Sequence, residues 1–72
     1  MLGKYDVEIE FLDEFGNVVD SSEQGLFDNY DEAAEFAESV ELHNDNEQVA
    51  IWLWDDDETV VEDSWIVKTF NE

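Results

Sequence analysis

The chain has 72 residues, with 22 Asp and Glu against 2 Lys and Arg, so its formal net charge at pH 7 is −20. A chain this short supports one hydrophobic core, and we expect residues 1–72 to form a single acidic domain. Hydrophobic residues make up 43% of the sequence, which argues against an acidic disordered segment, and the absence of cysteine excludes disulfides and thiolate metal sites.

The first predicted element is a strand with one face on the core. Its residues alternate strictly, apolar at Tyr5, Val7, Ile9 and Phe11 and acidic at Asp6, Glu8 and Glu10. This period of two is typical of a half-buried strand.

A second strand is predicted to pair with the first in a hairpin. Gly16 and Asn17 favour a tight turn, and Val18 begins a new extended run. The strand is expected to end near Ser22, or to resume beyond Gly25 after a bulge or break.

A helix follows, capped at its start by Asp28 or Asn29, with acidic residues in its first turn that complement the helix dipole. Its apolar positions recur at i, i+3, i+4 and i+7 and form one buried stripe, namely Ala33, Phe36, Ala37 and Val40. The helix is predicted to end near Leu42, because residues 43–46 have the composition of a loop.

Two further strands are predicted at residues 48–54 and at about residues 59–70, joined by an acidic turn at residues 55–58. The order ββαββ predicts an α+β fold with two layers, in which one helix packs on one face of an antiparallel sheet.

The acidic residues lie on these regular elements at regular spacings. Alternate residues of a strand are about 6.6–7 Å apart, and acids on one helix stripe are about 5–6 Å apart. Successive phosphates of a nucleic-acid strand are separated by about 6–7 Å. A rigid array of carboxylates could therefore imitate a phosphate backbone. The acids predicted to bind a partner are Asp6, Glu8, Glu10, Asp31, Glu35, Glu38, Asp55, Asp56, Asp57 and Glu58.

The tryptophans of the third strand permit two interpretations. If Ile51 and Leu53 face the helix, Trp52 and Trp54 lie on the open face of the sheet beside acidic residues. They then either complete a core that a short helix cannot fill alone, or form an apolar patch for self-association or for anchoring a partner. On the second interpretation we expect Trp52 and Trp54 to contact the partner, and we expect some homodimerisation.

No catalytic or cofactor motif is present. His43, the only histidine, has no visible nucleophile, and neither a Gly-rich phosphate loop nor zinc-ligand spacing occurs. The acidic runs lack the spacing of a calcium-binding loop. We expect no enzyme activity, no cofactor and no specific metal site.

A small, cysteine-free, acidic chain on an α+β scaffold resembles the DNA-mimic proteins of phages and mobile elements, which include anti-restriction and anti-CRISPR proteins. The resemblance covers composition and charge geometry and no diagnostic motif. It implies an inhibitor that occupies the basic DNA-binding surface of a nucleic-acid-binding protein, with CRISPR effector complexes as the first candidates and restriction enzymes as the second. Direct binding of nucleic acid would need cations that face the phosphates, so we expect this protein not to bind nucleic acid itself.

The high acidity of the chain has two other possible explanations. The acidity could be a salt adaptation of a small domain with an unrelated function, or it could serve another basic protein partner. The N-terminal residues have no apolar signal core and no segment has membrane-spanning length, so we expect a cytoplasmic protein without membrane contact.

Overall fold

The computed structural model describes residues 4–70, so that the ends of the predicted 1–72 domain, residues 1–3 and 71–72, lie outside the described residues. The elements are the strands β1 (Tyr5–Leu12), β2 (Val18–Phe27), β3 (Glu47–Trp54) and β4 (Val61–Thr69), and the helix α1 (Tyr30–Ser39). The predicted α+β class and the ββαββ order are confirmed.

The four strands form one open antiparallel sheet in the order β2-β1-β3-β4. The two central strands come from the two hairpins, and Tyr5 of β1 pairs with Leu53 of β3. Helix α1 carries the chain from the edge strand β2 back to β3 across one face of the sheet. The other face has no covering layer among residues 4–70.

The turn between β1 and β2 is built by one carboxylate. Asp13 Oδ1 accepts the backbone N–H groups of Phe15 and Asn17, both at 2.9 Å. These hydrogen bonds hold the pKa of Asp13 below its usual value, because they stabilise the charged form. Gly16 occupies the left-handed region at φ 87°, as a tight turn with a glycine bulge requires.

Strand β2 is continuous from Val18 to Phe27, so it does not end near Ser22. The expected irregularity near Gly25 is present as a bulge: Glu23 pairs with Glu8 and Gly25 with Val7, which leaves Gln24 as the extra residue. A Cβ on Gly25 would lie 3.0 Å from the ring of Phe27, so the glycine makes room for that ring.

The core lies between α1 and the two central strands. It consists of Val7, Val49 and Ile51 from the sheet and Ala33 and Ala37 from the helix, all fully buried. The small alanines allow a close approach of the helix, and half-buried aromatic rings fill its flanks, as in the tilted contact between Phe27 and Phe36 at 5.1 Å. Of the predicted helix stripe, Ala33 and Ala37 are buried and Phe36 packs half-buried against the core, whereas Val40 packs there from beyond the end of the helix.

The sequence predicts the start of the helix correctly but not its end. Asn29 is the N-cap, and its side chain accepts the backbone N–H of Glu32 at 2.9 Å. The predicted end near Leu42 is wrong, because the helix stops at Ser39 and Val40 is already extended. Lys68 Nζ donates to the carbonyls of Glu38 and Val40 at 3.1 and 2.7 Å, and this long-range contact fixes the end.

The loop between β3 and β4 is longer than predicted, because β4 begins at Val61 and not near residue 59. Within residues 4–70 no helix is long and apolar enough to cross a membrane.

Candidate functional site

The acids of β1 lie on the open face of the sheet, as the alternation predicts, but they are not exposed there. The exposed fractions are 5% for Asp6, 5% for Glu8 and 6% for Glu10. The expectation of a solvated row of carboxylates at phosphate spacing is therefore corrected for this strand. The reason is the neighbouring strand β3, whose long side chains cover the row.

Tryptophan indoles of β3 fold over the β1 acids and hydrogen-bond to them. Trp52 Nε1 donates to Glu10 Oε2 at 2.7 Å, and Trp54 Nε1 donates to Asp6 Oδ2 at 3.1 Å. Gln48 Nε2 donates to the other oxygen of Glu10 at 2.8 Å. The two indoles meet edge to face with their centroids 6.4 Å apart. The tryptophans thus lie on the open face, half-buried, and form a layer over buried carboxylates.

Glu8 lies between the other two acids of the row, and its pKa is raised to about 8. Burial is the largest cause, followed by a hydrogen bond and charge repulsion from Asp6, with a smaller contribution from Glu23. A protonated Glu8 can donate a hydrogen bond to the Asp6 carboxylate. Asp6 Oδ1 is buried and has no other donor among the described residues. Glu8 is therefore mainly neutral at pH 7.

The predicted helix acids Asp31, Glu35 and Glu38 are exposed, on the layer that covers the opposite face of the sheet from Trp52 and Trp54. Successive members rise about 6 Å and about 4.5 Å along the helix axis. The structure therefore does not bring the helix acids and the tryptophans onto one face.

The four acids of the loop after β3 differ in their contacts and in their exposure. Asp55 accepts the backbone N–H and the hydroxyl of Thr59 at 2.8 and 2.9 Å, and these bonds hold its pKa below its usual value, so its carboxylate serves the loop. Asp56 pairs with Lys4 at 3.2 Å although its side chain is 94% exposed. Asp57 and Glu58 are exposed, and Glu58 lies in the left-handed region at φ 58°.

The loop and the start of the helix lie at the same end of the sheet. The ring of Tyr30, the first helical residue, is 6.3 Å from Tyr5 and 5.1 Å from Trp65, and Tyr5 pairs with Leu53 just before the loop. We call the exposed acids Asp31, Asp56, Asp57 and Glu58 at this end the acidic end.

Neither lysine neutralises the acidic end beyond a single pair. Lys4 bonds to Asp56, and Lys68 is held by the carbonyls at the helix C-terminus. Lys4 and Lys68 are the only lysines of the chain, and within residues 4–70 Asp31, Asp57 and Glu58 of the acidic end form no ion pair with either of them.

A pocket of about 240 Å³ opens on the open face near the acidic end, lined by Asp6, Glu23, Leu26, Trp54 and Glu58. The sequence interpretation missed Glu23 and Leu26. Leu26 pairs with Asp6 and Glu23 with Glu8, and β2 has one extra residue at Val19 and another at Gln24, so a simple count from the turn assigns Glu23 to the wrong face.

The remaining buried acid, Glu47, accepts the backbone N–H groups of His43 and Asn44 at 2.8 and 3.1 Å, which holds its pKa below its usual value. His43 itself is exposed in the loop after the helix. Among residues 4–70 no three or more acidic or histidine side chains are arranged to hold a metal ion.

No family model matches the chain, and searches of proteins with curated descriptions and of solved structures find no match. Any functional conclusion therefore rests on the chemistry of these residues.

Proposed function

We propose that this protein is a stoichiometric inhibitor that binds the basic DNA-binding surface of a nucleic-acid-binding protein and blocks its access to DNA. CRISPR effector complexes are the first candidates for the target and restriction enzymes the second. The observation that carries the proposal is the set of exposed acids on α1 and at the acidic end, most of them without a lysine partner. Such a surface is complementary to arginines and lysines that normally hold phosphates.

The amount of charge supports this mode of binding. The accessible surface is 4675 Å² for an excess of 20 negative charges, or one charge per about 230 Å². Duplex DNA carries one per about 110 Å² of its surface. The burial of four acids, Asp6, Glu8, Glu10 and Glu47, lowers the exposed charge, so the proposal relies on the helix and the acidic end.

The scaffold would hold these charges before the partner arrives. Asp31, Glu35 and Glu38 are fixed on a helix whose alanines are fully buried, and the loop that carries Asp57 is held by Asp55. Preorganised charges lose little conformational entropy on binding, and a strong negative field speeds association in a salt-dependent way.

Competition with DNA tests the proposal. We would add increasing amounts of the protein to a CRISPR effector or restriction enzyme bound to labelled target DNA, at low and at physiological salt, and measure the DNA released. We expect release near one molecule of inhibitor per DNA-binding site, with an affinity that falls as salt rises. If no candidate nuclease releases DNA at low salt, the proposal is wrong.

A charge-matched pair of variants tests the surface. The triple variant D31N/E35Q/E38Q removes three charges from the helix, and we expect it to weaken inhibition about tenfold or more, since exposed ion pairs contribute up to about 1 kcal/mol each. The control removes three exposed acids elsewhere, namely Glu14, Glu41 and Asp45, as E14Q/E41Q/D45N. Equal loss in both variants would mean that net charge acts without a defined helix surface.

A further inference from the structure

The pocket on the open face combines three features that suit one kind of side chain. Glu23 and Glu58 are exposed carboxylates at its rim, Trp54 and Leu26 are apolar, and Asp6 adds a buried carboxylate. These residues come from β1, β2, β3 and the loop after β3, so the fold assembles the pocket from four separate segments.

Asp6 gives the pocket a buried carboxylate oxygen that has no hydrogen-bond partner among residues 4–70. Asp6 is 5% exposed, and Trp54 Nε1 donates to its Oδ2, while Oδ1 accepts from no N–H or hydroxyl group in residues 4–70. A buried carboxylate with an open acceptor is costly unless a donor or a cation comes close to it. A cationic side chain that enters the pocket from outside would supply such a donor.

The pocket walls favour a guanidinium group over an ammonium group. A guanidinium is flat and weakly hydrated, it stacks on indole rings, and it can bond two carboxylates at once. Its methylene stem can pack against an apolar side chain such as Leu26, which is 50% exposed.

We infer that this pocket receives one arginine side chain of the basic partner, with its guanidinium stacked on Trp54 and bonded to Glu23 and Glu58. The inference rests on the proposed function for the source of the arginine, and it extends the binding surface from the acidic end onto the open face. A second copy of this chain is a poor occupant, since its net charge of −20 would be repelled.

The experiment uses a small probe in place of the partner. The full chain, labelled with ¹⁵N and with ¹³C in its methyl groups, is titrated with N-acetyl-arginine amide while two-dimensional NMR spectra are recorded. N-acetyl-citrulline amide is the neutral probe of the same shape, and sodium chloride at equal ionic strength controls for screening. We expect arginine amide to shift the Trp54 indole N–H and the Leu26 methyl signals saturably, and citrulline amide to leave them unchanged.

Two single variants locate the binding, and a third is their control. E23Q and E58Q each remove one exposed carboxylate from the pocket, and we expect each to weaken the arginine probe about twofold to fivefold, the effect of one exposed ion pair. E14Q removes a charge from the distant turn between β1 and β2 and should not change the affinity. Equal weakening by E14Q, or equal shifts at the Glu35 amide and the Trp54 indole, would indicate diffuse cation binding and overturn the inference.

The remaining outcomes separate this inference from the proposed function. No saturable shift at Trp54 overturns the pocket, even if the protein still displaces DNA from a nuclease. Lysine amide that binds as tightly as arginine amide overturns the assignment to arginine. Saturable binding of arginine amide with no DNA displacement from any nuclease supports the pocket and refutes the proposed function.

Discussion

The raised pKa of Glu8 should make the protein less stable as pH rises, because the folded protein then loses a stabilising proton. The pKa of Glu8 is about 8 in the folded protein against 4.5 for an ordinary glutamate. Between these values the folded state holds a proton that the unfolded state has released. The stabilising effect of that proton is complete below pH 4.5 and is lost as pH rises through 8.

The expected magnitude is large for a domain of this size. One bound proton lowers the free energy of unfolding by about 1.4 kcal/mol per pH unit within this window. The slope becomes smaller near the folded pKa, so we expect a loss of about 2 kcal/mol between pH 6 and pH 8. A chain of 72 residues has a total stability of about 4–11 kcal/mol. The loss is therefore well within the range of urea unfolding experiments.

The assay is urea unfolding followed by tryptophan fluorescence at several pH values from 6 to 9. In E8Q the amide cannot titrate but can still donate to Asp6, so we expect its stability to be nearly independent of pH over this range. E14Q removes one charge from an exposed position and should keep the slope of the parent protein. The reasoning is refuted if E8Q keeps that slope, or if a ¹³C titration of the Glu8 carboxyl gives an ordinary pKa.

Three further changes follow from single contacts. D13A removes the acceptor of two turn N–H groups, so we expect a lower urea midpoint than that of the parent protein at pH 7. Because the pKa of Asp13 is lowered, its stabilising effect is present above the ordinary value of 3.8 and is lost as pH falls through the folded pKa. The difference in urea midpoint between the parent protein and D13A should therefore disappear in acid. E58G relieves a left-handed backbone conformation and should raise the free energy of unfolding by about 0.5–1 kcal/mol, and an unchanged urea midpoint would contradict this. K68M removes the donor to the carbonyls of Glu38 and Val40 and should cost about 1–2 kcal/mol, with faster amide hydrogen exchange in the last turn of the helix than in its first.

The sequence predicts the elements well where the signal is local. The alternation from Tyr5 to Phe11 and the cap at Asn29 depend on neighbouring residues, and both elements appear where expected. The helix end depends on Lys68, which is far along the chain, and no local pattern contains that contact. The bulge beside Gly25 is expected from the glycine, but the other register shift of β2, at Val19, has no such local signal, and it changes the face of the residues that follow it.

The candidate site was only partly predictable for the same reason. Alternation correctly separates Asp6, Glu8 and Glu10 from the core residues of β1, but it cannot tell whether the second face is solvated. Whether this face is solvated depends on the register of β1 and β3, in which Asp6 lies opposite Trp52. This register places two large indoles over the acids of β1. Net charge therefore overstates the acids that are available to a partner.

Buried acids under tryptophans also have a structural consequence that apolar residues would lack. The bonds from Trp52 to Glu10 and from Trp54 to Asp6 join β1 to β3 at two points, each with a specific donor and acceptor. A slip of one residue would move these carboxylates to the helix face, into a core formed by apolar residues such as Val7 and Ile51. Such a slip is far more costly with acids than with apolar side chains, so the row specifies the register of the central strands. That register sets the positions of Trp54 and Leu26 relative to Asp6, and hence the shape of the pocket that we assign to arginine.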